Sequence, residues 1–254
     1  MPNIYRPHVI QLENVTKVFA IPHERKKTLF HWLTSMMGRH YDYEPLYALQ
    51  GINLHVKEGE FLGIIGKNGS GKSTLLKVIS NIYPPTEGTV HVNGDVYPML
   101  DLGVGFQPEF SVKENIYLYG TMLGFTRKEL SARYDGIIEY SDLGRFVDAK
   151  LSTLSMGMML RLGFSIAIQS DASIFLVDEV LAVGDKDFAQ RCEEQFRKFK
   201  SNGKTVVLVS HDLNAVQKFS DRVVVLEGGE IVKEGSPEDM VSFYSNGGST
   251  LSIK

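Results

Sequence analysis

Short apolar runs alternate with helix-like patterns along most of the chain. The β-like runs are "HVIQLENV", "INLHV", "EFLGIIG", "TVHV", "SIFLVDE", "KTVVLVS", "DRVVVLE" and "EIVKEG". Several of them are almost continuously apolar, which is typical of strands that are buried on both faces of a parallel sheet. The pattern therefore predicts an α/β fold in which helices cover a largely parallel sheet.

Two stretches depart from this alternation. Residues 110–170 hold mostly helical patterns, "RKELSARYDGIIEYSDL" among them, and predict a separate helical lobe. Residues 21–46 form an insertion that is rich in aromatic and basic residues and precedes the strand "INLHV". No internal repeat occurs, so we expect residues 1–254 to form a single copy of one module.

Composition and charge narrow the class of protein. The formal net charge of −3 argues against a surface built to bind nucleic acid. The single cysteine, Cys192, cannot form an internal disulfide, which indicates a reducing compartment. No stretch reaches the ~18 apolar residues that a membrane span requires, and the N-terminus lacks the pattern of a secretory signal. We therefore expect a cytosolic protein, or one that another chain holds at a membrane.

The stretch "GKNGSGKST", residues 66–74, fits the phosphate-binding pattern G-x-x-x-x-G-K-[S/T]. A strand-like run precedes it and the helical pattern "KSTLLKVIS" begins within it. Glycines let backbone N–H groups approach phosphate oxygens, and a helix N-terminus attracts negative charge. We expect Lys72 to reach the β- and γ-phosphates and Ser73 to ligate Mg²⁺. The predicted nucleotide contacts in this loop are Gly66, Asn68, Gly69, Ser70, Gly71, Lys72, Ser73 and Thr74.

Two acidic residues end the buried run "SIFLVDE". Strand periodicity directs Asp178 and Glu179 to opposite sides, so we expect them to have different roles. Asp178 suits the Mg²⁺ shell that Ser73 begins, and Glu179 suits the orientation or deprotonation of an attacking water. Acidic residues at strand ends are often merely solvated, but the phosphate loop upstream favours the catalytic interpretation.

A third segment, "LSMGM" at residues 154–158, opens a helical run just ahead of the acidic strand. With the phosphate loop and the order of the segments, it resembles the ATP-binding-cassette (ABC) family, whose signature reads LSGGQ. Ser155 and Gly157 match that signature, whereas Met156 and Met158 depart from it. The resemblance implies a P-loop NTPase cassette with a RecA-like core, an antiparallel β portion and a helical subdomain. It also implies a homodimer in which ATP lies between one phosphate loop and the other signature.

Further residues match the order of motifs in the family. By this resemblance, Gln107 in "GFQPEF" contacts Mg²⁺ and the water, and His211 in "VLVSHDL" contacts the γ-phosphate. Asp185 in "AVGDKD" lies where the family crosses its dimer interface. Phe19 in "VTKVF" occupies the place of the aromatic residue that stacks on adenine, and a core phenylalanine on an edge strand is the alternative. The resemblance thus assigns catalysis to Lys72, Gln107, Glu179 and His211, and the metal to Ser73, Gln107 and Asp178.

Two runs, "MLDLGVGFQPEFSVKENIYLYGTMLG" and "DEVLAVGD", resemble ATP-binding subunits of exporters for lipid-linked bacterial polysaccharides. The resemblance implies ATP and Mg²⁺ as cofactors, a separate transmembrane permease in two copies, and a peripheral position on the cytoplasmic face of the inner membrane. O-antigen or a related lipopolysaccharide polymer is the expected cargo. The alternatives are a capsule or teichoic acid polymer, a small solute, and a non-transport ABC ATPase.

The insertion contains apolar residues at helical spacing, namely Leu29, Trp32 or Leu33, and Met36. Basic residues cluster at both ends of this pattern: Arg25, Lys26, Lys27, Arg39 and His40. One interpretation is a short helix that packs on the cassette and leaves its basic face in solvent. The other places the helix beside the transmembrane partner, with its bases near lipid headgroups or the pyrophosphate of the polymer carrier.

Overall fold

The computed structural model describes residues 7–22, 43–100, 102–178 and 186–247. Glu179, Asp185 and most of the predicted insertion, residues 23–42, lie outside these ranges. The strands are β1 His8–Pro22, β2 Tyr43–Lys57, β3 Phe61–Ile65, β4 Glu87–Val92, β5 Val96–Met99, β6 Ile174–Asp178, β7 Thr205–Val209, β8 Arg222–Glu227 and β9 Glu230–Gly235. The α-helices are α1 Lys72–Ile79, α2 Val112–Met122, α3 Arg127–Ser141, α4 Met156–Ala167, α5 Lys186–Ser201, α6 Leu213–Phe219 and α7 Pro237–Ser245.

A six-stranded sheet with the order β5-β6-β7-β3-β8-β9 forms the centre of the fold. All neighbouring strands are parallel except β8 and β9, which are antiparallel. Strands β3 and β7 are buried along their whole length, which explains why both read as continuous apolar runs. The prediction of an α/β fold with a largely parallel sheet is confirmed for this part of the chain.

Strands β2, β1 and β4 form a second, three-stranded antiparallel sheet. On β2, Leu49, Ile52, Leu54 and Val56 are buried and the residues between them are exposed, as in a sheet with one covered face. The β1–β2 pairing continues as far as Pro22 opposite Tyr43. Both ends of the predicted insertion 21–46 therefore continue the hairpin. The sequence did not indicate this, because residues 43–47 are exposed and show no alternation.

Helices α2, α3 and α4 occupy the stretch whose patterns predict a helical lobe. They share an apolar core that includes Val112, Ile116, Ile137, Leu162 and Ile166. Helices α2 and α3 each begin with a capping box, in which a hydroxyl and a glutamate satisfy otherwise unpaired backbone N–H groups.

Strand β5 was not predicted, because "VYPM" is short and contains a proline, which a sheet tolerates at its edge.

Two apolar layers cover the faces of the central sheet. One contains Leu62, Ile64 and Leu76 and joins the sheet to helix α1 and to the antiparallel sheet. The other is rich in phenylalanine, with Phe61, Phe175 and residues of α4, α5 and α6. Among the described residues, no helix is both long enough and apolar enough to span a bilayer.

Candidate nucleotide-binding site

The phosphate-loop motif connects the end of β3 to the first turn of α1. A Cβ at Gly66 would overlap the carbonyl oxygen of Leu226, and one at Gly71 would overlap that of Ala48. Gly71 also has φ of 106°, in the left-handed region that favours glycine. Asn68 and Gly69 are exposed, while Ser70 is buried beneath them. The loop is therefore a backbone surface at a helix N-terminus, as phosphate binding requires.

Lys72 lies at the centre of this loop. Its Nζ donates hydrogen bonds to the carbonyl oxygens of Gly66 and Lys67 at 2.8 and 3.0 Å. The side chain is buried, so its positive charge is held close to the loop backbone. A buried ammonium group beside backbone N–H groups at a helix N-terminus makes a strongly anion-attracting surface.

The two predicted metal ligands are in contact. The hydroxyl of Ser73 donates to Oδ2 of Asp178 at 2.7 Å. Ser73 lies in the first turn of α1 and Asp178 is the last residue of β6, and the strand order brings these ends to one edge of the sheet. A hydroxyl and a carboxylate are hard oxygen ligands, and Mg²⁺ usually binds one or two such groups and keeps several waters. The residues present therefore fit a magnesium ion.

His211 follows β7, the strand next to β3, and is exposed at the same edge of the sheet. The residues on either side of it are fixed by hydrogen bonds. Asp212 caps α6 by accepting from Asn214 N and Ala215 N, and Asp212 N donates to the buried hydroxyl of Ser210. The backbone that carries the exposed His211 is therefore held in place.

Gln107 lies in the loop between β5 and α2, and a buried asparagine fixes its backbone. The side-chain oxygen of Asn115 accepts from Gln107 N at 2.7 Å, and its Nδ2 lies 3.0 Å from the Gln107 carbonyl oxygen, to which it donates. The same Nδ2 also donates to the carbonyl oxygens of Phe110 and Ser111. Sequence reasoning missed Asn115. The available signal was a polar residue on the apolar face of α2, since buried amides need hydrogen-bond partners.

Phe19 lies on β1 opposite Leu46 of β2 and is partly buried. Its ring meets that of Tyr83 edge to face, with centroids 5.3 Å apart, and Lys17 Nζ lies 5.2 Å from its centroid. Leu46 is two residues from Ala48, which contacts the phosphate loop. The hairpin that carries Phe19 therefore also lines that loop.

The signature residues lie at the start of α4 in the helical lobe. Ser155 is the N-cap and its hydroxyl accepts from Met158 N at 3.3 Å. A Cβ at Gly157 would meet the Ser155 hydroxyl at 4.0 Å, an ordinary contact, and Met156 is exposed. Within the described ranges, no hydrogen bond joins Ser155 or Gly157 to the phosphate loop. The first N–H groups of a helix lack intrahelical partners, and at the start of α4 the Ser155 hydroxyl satisfies that of Met158.

The phosphate loop lies between a buried parallel strand and a helix, and a hydroxyl–carboxylate pair lies at the same edge of the sheet. These two features define a P-loop nucleotide-binding protein. The family model for ABC transporters matches residues 49–182, just over half of the sequence. The chain belongs to the ABC transporter family.

Related proteins include exporter subunits from several bacteria. The O-antigen export system ATP-binding protein RfbB of Klebsiella pneumoniae is 40% identical over 243 residues, which cover 93% of this chain and 97% of that protein. RfbB of Myxococcus xanthus is 44% identical over 219 residues, 86% of this chain and 50% of that protein. The teichoic acids export protein TagH of Lactiplantibacillus plantarum is 39% identical over 96% of this chain and 65% of its own length. The chain thus spans about half the length of the Myxococcus relative.

Solved structures with the same fold include an ATP-binding cassette described as a dimer in a post-hydrolysis state bound to ADP and Pi. The TM-score is 0.72 at 27% identity, with coverage of 90% of this chain and 98% of that one. A second dimeric structure of the same cassette, described as bacterial, gives a TM-score of 0.70 at 28% identity and the same coverage. The predicted cassette fold is therefore confirmed.

Proposed function

We propose that the chain is the ATP-hydrolysing subunit that powers export of a lipid-linked polysaccharide through a separate transmembrane partner. O-antigen or a related polymer is the cargo. The observation that carries this proposal is the similarity to RfbB of Klebsiella pneumoniae, which extends over 97% of a protein named for O-antigen export. The relatives named for teichoic acid export, at 39% identity, make another lipid-linked polymer the second candidate.

In this proposal the phosphate loop holds the triphosphate of ATP. Backbone N–H groups of residues 66–74 surround the phosphates, and Lys72 moves its ammonium group from the loop carbonyls to the β- and γ-phosphate oxygens. Ser73 and Asp178 hold Mg²⁺, which when bound neutralises the charge that develops on the phosphates. Phe19 stacks on the adenine ring at the other end of the nucleotide.

Three polar residues then act where the γ-phosphate meets the hydrolytic water. Glu179, which follows Asp178 and lies outside the described residues, orients and deprotonates the water. His211 contacts the γ-phosphate from the edge next to the loop, and Gln107 contacts both the metal and the water. Asn115 keeps the Gln107 backbone in position for this contact.

The active unit in this proposal is a homodimer with two composite sites. One phosphate loop covers the nucleotide on one side only, so a second surface is needed to surround the γ-phosphate. Ser155 and Gly157 of the second copy supply it through backbone N–H groups at the start of α4. Asp185, outside the described residues, crosses the interface. The similarity to a cassette solved twice as a dimer supports this arrangement.

The names of the relatives, which are ATP-binding proteins of export systems, support a transmembrane permease as the other partner. Two permease copies would match the two cassettes, and the dimer would then lie on the cytoplasmic face of the inner membrane. ATP binding and hydrolysis would drive the permease, while the polymer itself would contact the permease rather than this chain.

The test is to replace the chromosomal copy with a Lys72→Ala version in the source bacterium. Surface polymer should disappear and lipid-linked polymer should accumulate inside the cell, because the glycan is still synthesised but is not exported. Wild-type polymer at the surface would contradict the proposal. Loss of the uptake of a small solute, with normal surface polymer, would favour an importer instead.

A further inference from the structure

The outer side of the phosphate loop is covered by two elements that are not part of its motif. The tip of the β8–β9 turn contributes Gly229, whose N–H donates to the carbonyl oxygen of Ser70 at 3.0 Å. Strand β2 contributes Ala48, whose carbonyl oxygen lies against Gly71. In the described part of the chain the buried Ser70 hydroxyl has no hydrogen-bond partner. The side chain therefore adds no hydrogen bond that would position Ser70, and its backbone hydrogen bonds hold the residue in place.

Gln50 of β2 joins these two elements. Its backbone N–H donates to the carbonyl oxygen of Gly229 at 2.8 Å, and its side-chain Nε2 donates to that of Gly228 at 2.8 Å. A continuous path of hydrogen bonds therefore runs from Gln50 through the turn to Ser70. The side-chain bond spans 178 positions of the sequence.

We propose that Gln50 is a positioning residue for the phosphate loop and strengthens its binding of the triphosphate. The side-chain amide holds the β8–β9 turn against β2. The N–H of Gly229 in that turn then holds the Ser70 carbonyl and the loop backbone. Because the same hairpin pairs Leu46 with Phe19, it also links the base contact to the phosphate contacts. This inference rests on the proposed function, in which the loop binds ATP.

The test compares Gln50→Ala with a matched control. The substitution removes the bond to Gly228 and leaves the backbone bond to Gly229, so the protein should still fold. We expect the dissociation constant for ATP to rise about five-fold, the equivalent of one ordinary hydrogen bond. The control is Gln11→Ala on the neighbouring strand β1, since within the described ranges its side-chain amide bonds only to the carbonyl of His8, at 3.5 Å. Gln11→Ala should bind ATP like the wild type.

A second ligand separates a phosphate effect from a base effect. Inorganic tripolyphosphate has no base, so Gln50→Ala should weaken its binding by the same factor as that of ATP. Phe19→Ala should weaken ATP binding and leave tripolyphosphate binding unchanged. In steady-state hydrolysis, Gln50→Ala should raise KM for ATP more than it lowers kcat. Gln50→Glu should bind ATP no better than Gln50→Ala does, because its carboxylate cannot donate a hydrogen bond to the carbonyl oxygen of Gly228.

The inference is overturned if folded Gln50→Ala, checked by its thermal unfolding curve, binds ATP within about two-fold of the wild type. It is also overturned if ATP binding weakens and tripolyphosphate binding does not. Lys72→Ala tests the proposed function separately. Wild-type ATP binding and hydrolysis by that variant would contradict the proposed function, whereas normal affinity in Gln50→Ala alone would remove only the role of Gln50.

Discussion

The hydroxyl of Ser73 and the carboxylate of Asp178 lie 2.7 Å apart across 105 positions of the sequence. Ser73 belongs to the helix that follows β3 and Asp178 ends β6, and β7 lies between these two strands in the sheet. The twist and parallel direction of the strands bring both groups to the carboxyl edge, where ligands bind in open α/β sheets. The proposed magnesium site rests on this pair.

The first prediction concerns that carboxylate. Asp178→Asn keeps the size of the side chain and removes its charge, so the Mg²⁺ concentration for half-maximal ATP hydrolysis should rise by about tenfold or more. A magnesium titration of phosphate release measures this. Asp171→Asn is the matched control, because Asp171 is exposed and pairs with Arg133 away from the loop. An unchanged magnesium requirement in Asp178→Asn would remove Asp178 from the metal site.

The second prediction concerns the composite site. Lys72→Ala lacks a working phosphate loop and Gly157→Asp lacks a working signature, because the added carboxylate would repel the γ-phosphate. Each variant alone should be inactive, and a mixture should regain part of the wild-type hydrolysis, since one site of each mixed dimer is intact. Crosslinking between loop and signature should join two chains in the presence of ATP. Crosslinks found only within one chain would contradict the head-to-tail dimer.

Asn115 provides the third prediction. Asn115→Ala leaves the Gln107 N–H and several carbonyl groups without their buried partner, so the free energy of unfolding should fall by about 1–3 kcal/mol. Hydrolysis should slow while ATP affinity stays near the wild-type value, because in the proposed function Gln107 acts on the water and the metal. Urea unfolding, equilibrium binding and phosphate release measure the three effects. The control is Lys113→Ala, since Lys113 is an exposed residue on the same helix. Equal losses of binding and hydrolysis in Asn115→Ala would contradict the role of Asn115 in positioning Gln107.

The fourth prediction concerns the thiol of Cys192. Burial in the phenylalanine-rich layer leaves it 1% exposed and raises its pKa to about 12. The thiol therefore stays protonated at pH 8, and a thiol-specific reagent should not modify the native protein. One equivalent should react after unfolding in urea, because Cys192 is the only cysteine in the sequence. Rapid modification of the native protein would show that this layer opens readily.

Much of the fold and of the phosphate loop could be predicted because local patterns encode them. Strands β3 and β7 are buried on both faces and read as apolar runs, and the loop glycines stand where backbone must approach backbone. Strand β5 and the start of β2 gave no such signal, because one is short and the other is exposed. The roles of Gln50 and Asn115 depend on which backbone groups the folded chain brings within hydrogen-bond reach of their side-chain amides. No local sequence pattern specifies those groups.

Steady-state phosphate release by purified Glu179→Gln is the decisive measurement of whether this chain hydrolyses ATP in the proposed way. The substitution preserves the size of the side chain and removes the carboxylate that would orient the water. We expect ATP affinity to stay near that of the wild type while turnover falls by about 100-fold or more. Near-normal hydrolysis by this variant would rule out Glu179 as the residue that orients the water.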